Sequence, residues 1–445
     1  MQPGGGGPPG SGFRPSRSVT RGVSGEPPRR TGSPWRPTYV ILSPSLWGAT
    51  KSTVNPRKAF MQPTASLLAL NVALAGAREG FGPFLGVYLQ QQGFTPATTG
   101  LAMGLAGLAG LAVTTPIGAL VDRIRAKRAL LAAAVGAIAL GAVALVATKS
   151  LWLIALAQLV IGVADTSIAP LVAALTLGLV GQAAYARQVS RNEAFNHAGN
   201  AANAALAAIL GYTCGLGFVA VAIVAMAVAS CGVLLTLDPA RIDHDAARGG
   251  EQGERSTLRV LFGTRPLLVL AGTVLAFQTA NGAMLPFLAQ ARTAAGADPS
   301  LTTGIMTVTA QVTMIAAALG AARLAEGRGH GRVLSVALAL VVIRGGLAAF
   351  AGSWFWIVLV QVLEGLAMGL AGVAIPALVA KIMAGTGHAS AGLGGVMTAY
   401  GAGAALSPVI AGLVAQSLGF PAAFWALAGI AALGLALWLL GRRGG

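Results

Sequence analysis

Charge is what this chain has least of. Asp, Glu, Lys and Arg make up 10% of its 445 residues, against about a quarter in a soluble domain. Cysteine is nearly missing as well: Cys214 and Cys231 are the only two, and neither belongs to a CxxC or Cys/His cluster. No disulfide framework and no metal site are therefore expected. The sequence has no GxxxxGK[ST] phosphate loop to drive an ATP-powered pump, no HExxH and no nucleophile elbow. Glycine-rich stretches such as GLAMGLAGLAG are small-residue packing faces, because a dinucleotide loop needs a βαβ setting that this composition does not offer. No enzyme activity and no cofactor are expected.

What remains is apolar. Hydrophobic residues make up 55% of the chain and the mean hydropathy is +0.73. Runs of roughly 20 apolar residues recur from 66 to 441, each long enough to cross a ~30 Å hydrocarbon core. They define about twelve spans: 66–90, 98–121, 128–148, 151–178, 189–211 and 215–237, then 266–290, 300–321, 332–351, 354–381, 391–415 and 421–441. The expected fold is an all-α polytopic membrane protein of two pseudo-symmetric six-helix halves. Residues 61–237 form the first half, 238–265 a cytoplasmic linker and 266–445 the second half.

The formal net charge of +17 invites a nucleic-acid partner, but its placement argues against one. Arginines gather in alternate links between spans: Arg123, Arg125, Lys127 and Arg128, then Arg187 and Arg191, the linker, and Arg328 and Arg332. The other side has Lys149 and Arg292 and little else. This is the bias that sets topology, and it places both termini in the cytoplasm. Residues 1–60 are rich in Pro, Gly, Ser and Arg, with no apolar h-region of a signal peptide. They read as a disordered, basic cytoplasmic tail, or as an upstream extension of a chain that starts at Met61.

The halves resemble each other at an offset of 203 to 204 residues. GPFL at 82–85 matches LPFL at 285–288, TTGLAMG at 98–104 matches TTGIMTV at 302–308, Asp122 and Arg128 fall on Glu326 and Arg332, and Gly162 falls on Gly365. Internal duplication of this kind builds many secondary transporters. With twelve spans, a central loop and GALVDRIRAKR at 118–128, the chain resembles the major facilitator superfamily, whose motif between spans 2 and 3 runs roughly G-x-x-x-D-R-x-G-R-[RK]. Gly118, Asp122, Arg123 and Lys127 fit; Arg125 and Arg128 supply charge near the remaining positions, and Ala126 departs from the pattern. The antiporter motif expected on span 5 is absent, and something close to it stands on span 11 as Gly403, Ser407, Pro408, Ala411 and Gly412. The resemblance implies that the 118–128 motif, with Glu326 and Arg328 as its second-half copy, latches the inward-closed state. It also implies a central cavity lined by spans 1, 2, 4, 5, 7, 8, 10 and 11. For Asp122 the alternative to gating is topology alone.

The polar residues inside the spans fit such a cavity. At about 100° per residue, Asn192, Asn196, Gly199 and Asn203 share one face of span 5, with Glu193, His197 and Asn200 beside them. A polar stripe in hydrocarbon must face protein or water. Arg191 and Glu193 at its mouth suit either the latch or a substrate. Span 1 carries Arg78 and Glu79, span 4 Asp165, span 7 Gln278 and Asn281, span 8 Gln311, and span 10 Glu364. The cavity candidates are Arg78, Asn192, Asn196, His197, Asn200, Gln278, Asn281 and Gln311. Asp165, Glu364 and Glu79 are candidates for proton coupling, since an acid that protonates in a low-dielectric site links proton movement to conformation. The alternative for each is a static interhelical ion pair. Arg344, on peripheral span 9, breaks the pattern and either pairs with Glu364 or snorkels outward.

The expectation is a secondary transporter exporting a small organic solute in exchange for protons. It would work as a monomer in a bacterial cytoplasmic membrane, with the solute, protons and lipid as its partners and no nucleic acid. An importer or uniporter of the same fold, and a receptor that no longer transports, are the alternatives.

Overall fold

A computed structural model describes residues 62–79, 81–243, 261–386 and 388–442. The N-terminal tail with its alternative start, and most of the linker, lie outside them. So do the side chains of Glu79, Asp122, Glu326 and Arg328. The described residues are helical nearly throughout and contain no strand.

Span 1 is two helices, Pro63–Glu79 and Gly82–Gln91, and span 7 repeats the break as Arg265–Asn281 and Met284–Ala294. Spans 2 and 3 are Pro96–Arg123 and Lys127–Ala147, and span 6 is Val219–Thr236. Spans 8 to 12 are Pro299–Arg328, His330–Ala348, Trp354–Ile382, Ala389–Leu418 and Phe420–Gly441. Spans 2 and 8 begin alike. Thr95 and Asp298 each accept a hydrogen bond from the backbone N–H three residues on, at 3.3 and 2.8 Å, and each is followed by proline. Such a cap satisfies one orphan N–H, while the proline wastes none.

Between Leu151 and Cys214 spans 4 and 5 are two helices that meet at a kink, and the kink falls inside the expected link of 178–189. The stretch GQAAYAR holds no proline and is rich in alanine, so nothing in it stops a helix. The change of direction falls on Gly181 alone, at φ 70° and ψ 169°, a conformation that favours a residue without Cβ. Arg187 and Arg191 are therefore helical residues. Below, span 4 means the part of this helix before Gly181 and span 5 the part after it.

Ten helical stretches among the described residues are long and apolar enough to cross a membrane. Those outside this set are span 1, divided into two shorter helices, and span 5, diluted by its polar stripe. The protein is a multi-pass membrane protein.

The halves pack by the same device. Gly162 lies against the backbone of Ala106, and Gly365 against that of Ala310. A Cβ at either position would overlap the neighbouring carbonyl, so the helices approach as closely as backbones allow. One turn earlier, Gln158 Nε2 donates to the carbonyl of Ala102 at 3.2 Å. Its repeat counterpart Gln361 is fully buried, and neither of its amide atoms has a partner.

Contacts between the halves gather away from the 124–126 turn. At the far end, Gly100 and Gly412 pack against the backbones of Pro408 and Pro96, and Gly107 meets Ala405, joining span 2 to span 11. Gly304 meets Ala208, and Gly211 meets Ser300, joining spans 5 and 8. Gln90 Nε2 donates to the carbonyl of Gln290 at 3.2 Å, joining spans 1 and 7. Toward the 124–126 turn, Gly118, Gly394 and Gly401 face open space.

Candidate functional site

The space between the halves is lined by an ion pair. Arg78 Nε donates to Asp165 Oδ1 at 2.6 Å and Nη2 to Oδ2 at 3.2 Å, a two-point contact between spans 1 and 4. Its side chains are 25% and 40% exposed, so the pair stands in the cavity wall rather than in the packed interior. Arg78 borders two recesses. One is lined by Asn71, Thr176, Tyr185, Asn192, Glu193 and Asn196, from spans 1, 4 and 5. The other runs past Asp165 and Thr166 to Met397 and Thr398 of span 11, so both halves contribute to it.

The stripe on span 5 divides in two. Asn196 and Glu193 line the first recess, and Glu193 is exposed. Asn192 is buried and ties its own half together: its Nδ2 donates to Thr176 Oγ1 at 3.1 Å, and its Oδ1 accepts from Gln188 Nε2 at 2.9 Å. Gly199 and Asn203 pack on span 1, where Asn203 sits over Gly76. His197 reaches the other half, its Nδ1 lying 3.3 Å from Gln311 Oε1 on span 8, which accepts when the proton is on Nδ1. Asn200 and Gln311 share a small pocket with Pro83, Phe84 and Thr307. There the buried Oδ1 of Asn200 has no partner.

The second half holds a different pair. Arg344 is fully buried; its Nη2 donates to Glu364 Oε2 at 2.5 Å and its Nη1 to Asn281 Oδ1 at 2.5 Å. Of the two options open for Arg344, the structure takes pairing, not snorkelling. Asn281 ends the first helix of span 7, so the guanidinium grips that span at its break. On the other side of the break, the Ala283 N–H donates to Ser407 Oγ of span 11 at 2.8 Å. Gln278, one turn before Asn281, is buried, and its Oε1 has no partner.

At the 2–3 motif, Arg123 and Arg125 are exposed. Lys127 is 2% exposed, and its Nζ donates to the carbonyls of Val121 and Ile124 at 2.5 and 3.3 Å. It caps the C-terminal end of span 2, where carbonyls lack helical partners. Arg128 is half-buried. Sequence reasoning missed Lys127 as a cap and Tyr185, Thr166, Met397 and Thr398 as lining. A lysine four residues beyond a helix end was the available signal for the cap.

Comparisons place the chain. Residues 65–426 match the model of the MFS_1 like family. Two uncharacterized MFS-type transporters of Mycobacterium tuberculosis, strains CDC 1551 and H37Rv, are each 38% identical over 381 residues, covering 83% of this chain and 91% of theirs. A point mutant of the nucleoside transporter NupG superposes with a TM-score of 0.74 at 13% identity, over 85% of this chain and 99% of that one. A bacterial homolog of the human lysosomal transporter Spinster, in an inward-facing and unoccupied conformation, gives 0.68 at 13% identity, over 86% and 96%. At such identities the structural likeness speaks for the fold alone.

Proposed function

The chain belongs to the MFS_1 like family and is a membrane transporter of MFS type; from that premise we propose that it exports a small polar or anionic organic solute in exchange for protons. The observation that carries this reading is the Arg78–Asp165 pair, exposed to a cavity that both halves line. A solute carboxylate or phosphate takes the guanidinium from Asp165, and Asn196 and Glu193 lie within the same recess. Asp165, released, is then free to take up a proton. The solute and the Asp165 carboxylate compete for one arginine, so solute binding and protonation of Asp165 are linked, and that linkage ties solute movement to proton movement.

Glu364 is the second coupling site. Neutralising it leaves Arg344 as a buried charge without its counter-ion, a state disfavoured by several kcal/mol. Arg344 then moves, and through Asn281 it takes the break in span 7 with it. Glu79 remains a third proton-coupling candidate on sequence grounds. With the arginine-rich links in the cytoplasm, the seam closes the outer end and the cavity faces inward. The latch of Gly118, Asp122, Arg123, Arg125, Lys127 and Arg128 with Glu326 and Arg328 serves the opposite, inward-closed state. The protein works as a monomer in a bacterial cytoplasmic membrane, with both termini cytoplasmic.

The test is proton flux in liposomes that hold a pH-sensitive dye, challenged with pools of organic acids, amino acids, nucleosides and hydrophobic drugs. Flux triggered by a polar or anionic pool, and lost in Asp165→Asn and Glu364→Gln, supports the reading. Flux triggered only by hydrophobic drugs, or unchanged in both variants, overturns it.

A further inference from the structure

Away from the cavity, a second cleft opens between the start of span 3 and the end of span 6, closed at one end by the turn Pro239–Arg241. Its upper rim is basic and its walls are apolar. Arg125 and Arg128 stand at the rim, and Ala129, Ala132, Leu234 and Leu235 form the walls. No carboxylate lines it among the described residues. Asp238, beside Pro239 of the cleft, is already engaged: its Oδ1 accepts from the Ala240 N–H at 2.9 Å, and Arg241 lies 3.8 Å from its Oδ2. Arg128 is half-buried, and its Nε is sequestered without a hydrogen-bond partner. A buried guanidinium N–H left unsatisfied is disfavoured, so this donor points to an acceptor that the described residues do not supply.

The cleft's position selects the acceptor. Leu235 is 74% exposed while its neighbour Leu234 is 3% exposed, so the walls open sideways onto the hydrocarbon. The arginines lie where the apolar part of span 3 begins. We propose that this cleft is a binding site for one anionic phospholipid, its phosphate held by Arg125 and Arg128 and an acyl chain laid along Ala129, Ala132 and Leu235. Two guanidiniums at an interface discriminate headgroup charge, and an apolar groove beneath them discriminates a lipid from a small anion. This site is separate from the transport cavity and does not depend on what the cavity carries.

The experiment uses the full chain in neutral detergent, titrated with phosphatidylglycerol or phosphatidylcholine of identical acyl chains and followed by thermal melting. Phosphatidylglycerol should stabilise at markedly lower concentration. The double variant Arg125→Gln/Arg128→Gln should lower that preference by about thirtyfold, the equivalent of ~1 kcal/mol for each of two surface charges. Arg187→Gln, an exposed arginine elsewhere, should leave it unchanged. Ala132→Trp, which fills the groove and keeps both arginines, should weaken binding of both lipids. Equal response to the two lipids would overturn the proposal, as would inorganic phosphate reproducing the effect. So would a double variant that melts lower without lipid yet keeps the full preference, since its arginines would then serve a contact within the protein.

Discussion

The two halves share a scaffold and differ in where they put charge. Gly162 and Gly365, Gln158 and Gln361, and the caps at Thr95 and Asp298 occupy equivalent places at an offset of 203 residues. The repeat partner of Arg78 at that same offset is Asn281, an uncharged amide, and the second-half cation enters instead from peripheral span 9 as Arg344. One pair is exposed to the cavity at 25% and 40%, the other sealed at 0% and 15%. Duplication therefore preserved the packing that a helix bundle requires, while the ionic groups diverged into an accessible pair and a buried one with a grip on span 7.

The sharpest way to break this contrast is to remove one cation from each half. Arg344→Met strands Glu364 in a buried site and should lower stability by about 3–5 kcal/mol, seen as a fallen melting temperature in detergent. Adding Glu364→Leu should recover most of that loss, since a buried pair replaced by apolar residues is often neutral. Arg78→Gln, by contrast, should change stability by less than about 1 kcal/mol, because its pair is partly solvated. It should nonetheless abolish solute-triggered proton flux. A large stability loss at Arg78 would dissolve the distinction between the pairs. Next in size, Gly162→Ala and Gly365→Ala should each destabilise by about 1–3 kcal/mol through overpacking, and unequal losses would show that the repeat is not mechanically equivalent. The smallest effect sharpens the comparison: Gln158→Leu should lose about 0.6 kcal/mol, typical of a hydrogen bond inside a membrane bundle. Gln361→Leu should be neutral or stabilising, because its amide has nothing to lose.

Most of the architecture was legible because length and hydropathy decide it. Twelve spans and the doubled motif follow from apolar runs and Arg placement, and the broken span 7 follows the same repeat as span 1. How short the link between spans 4 and 5 is was not: the break falls on Gly181, and the Ala-rich stretch with arginines that follows is already helix. The ionic pairings were only half legible, for a different reason. Arg344 with Glu364 stood as one of two options, whereas the partner of Asp165 was not foreseen, 87 residues away on another helix. A helical period gives the face a side chain occupies, not the helix that meets it. Lys127 shows the same gap: its charge was legible, but that its Nζ folds back on the carbonyls ending span 2 was not.

The seam at the far end has a mechanical meaning. Spans 2 and 11 meet there through Gly100, Gly107, Gly412 and the chain beside Pro408, backbone close against backbone. Such a joint has few rotamers to rearrange, so it parts by sliding whole helices, like two planed boards. Any methyl added at its glycines becomes a wedge that tilts the resting population toward the opposite opening before any solute arrives.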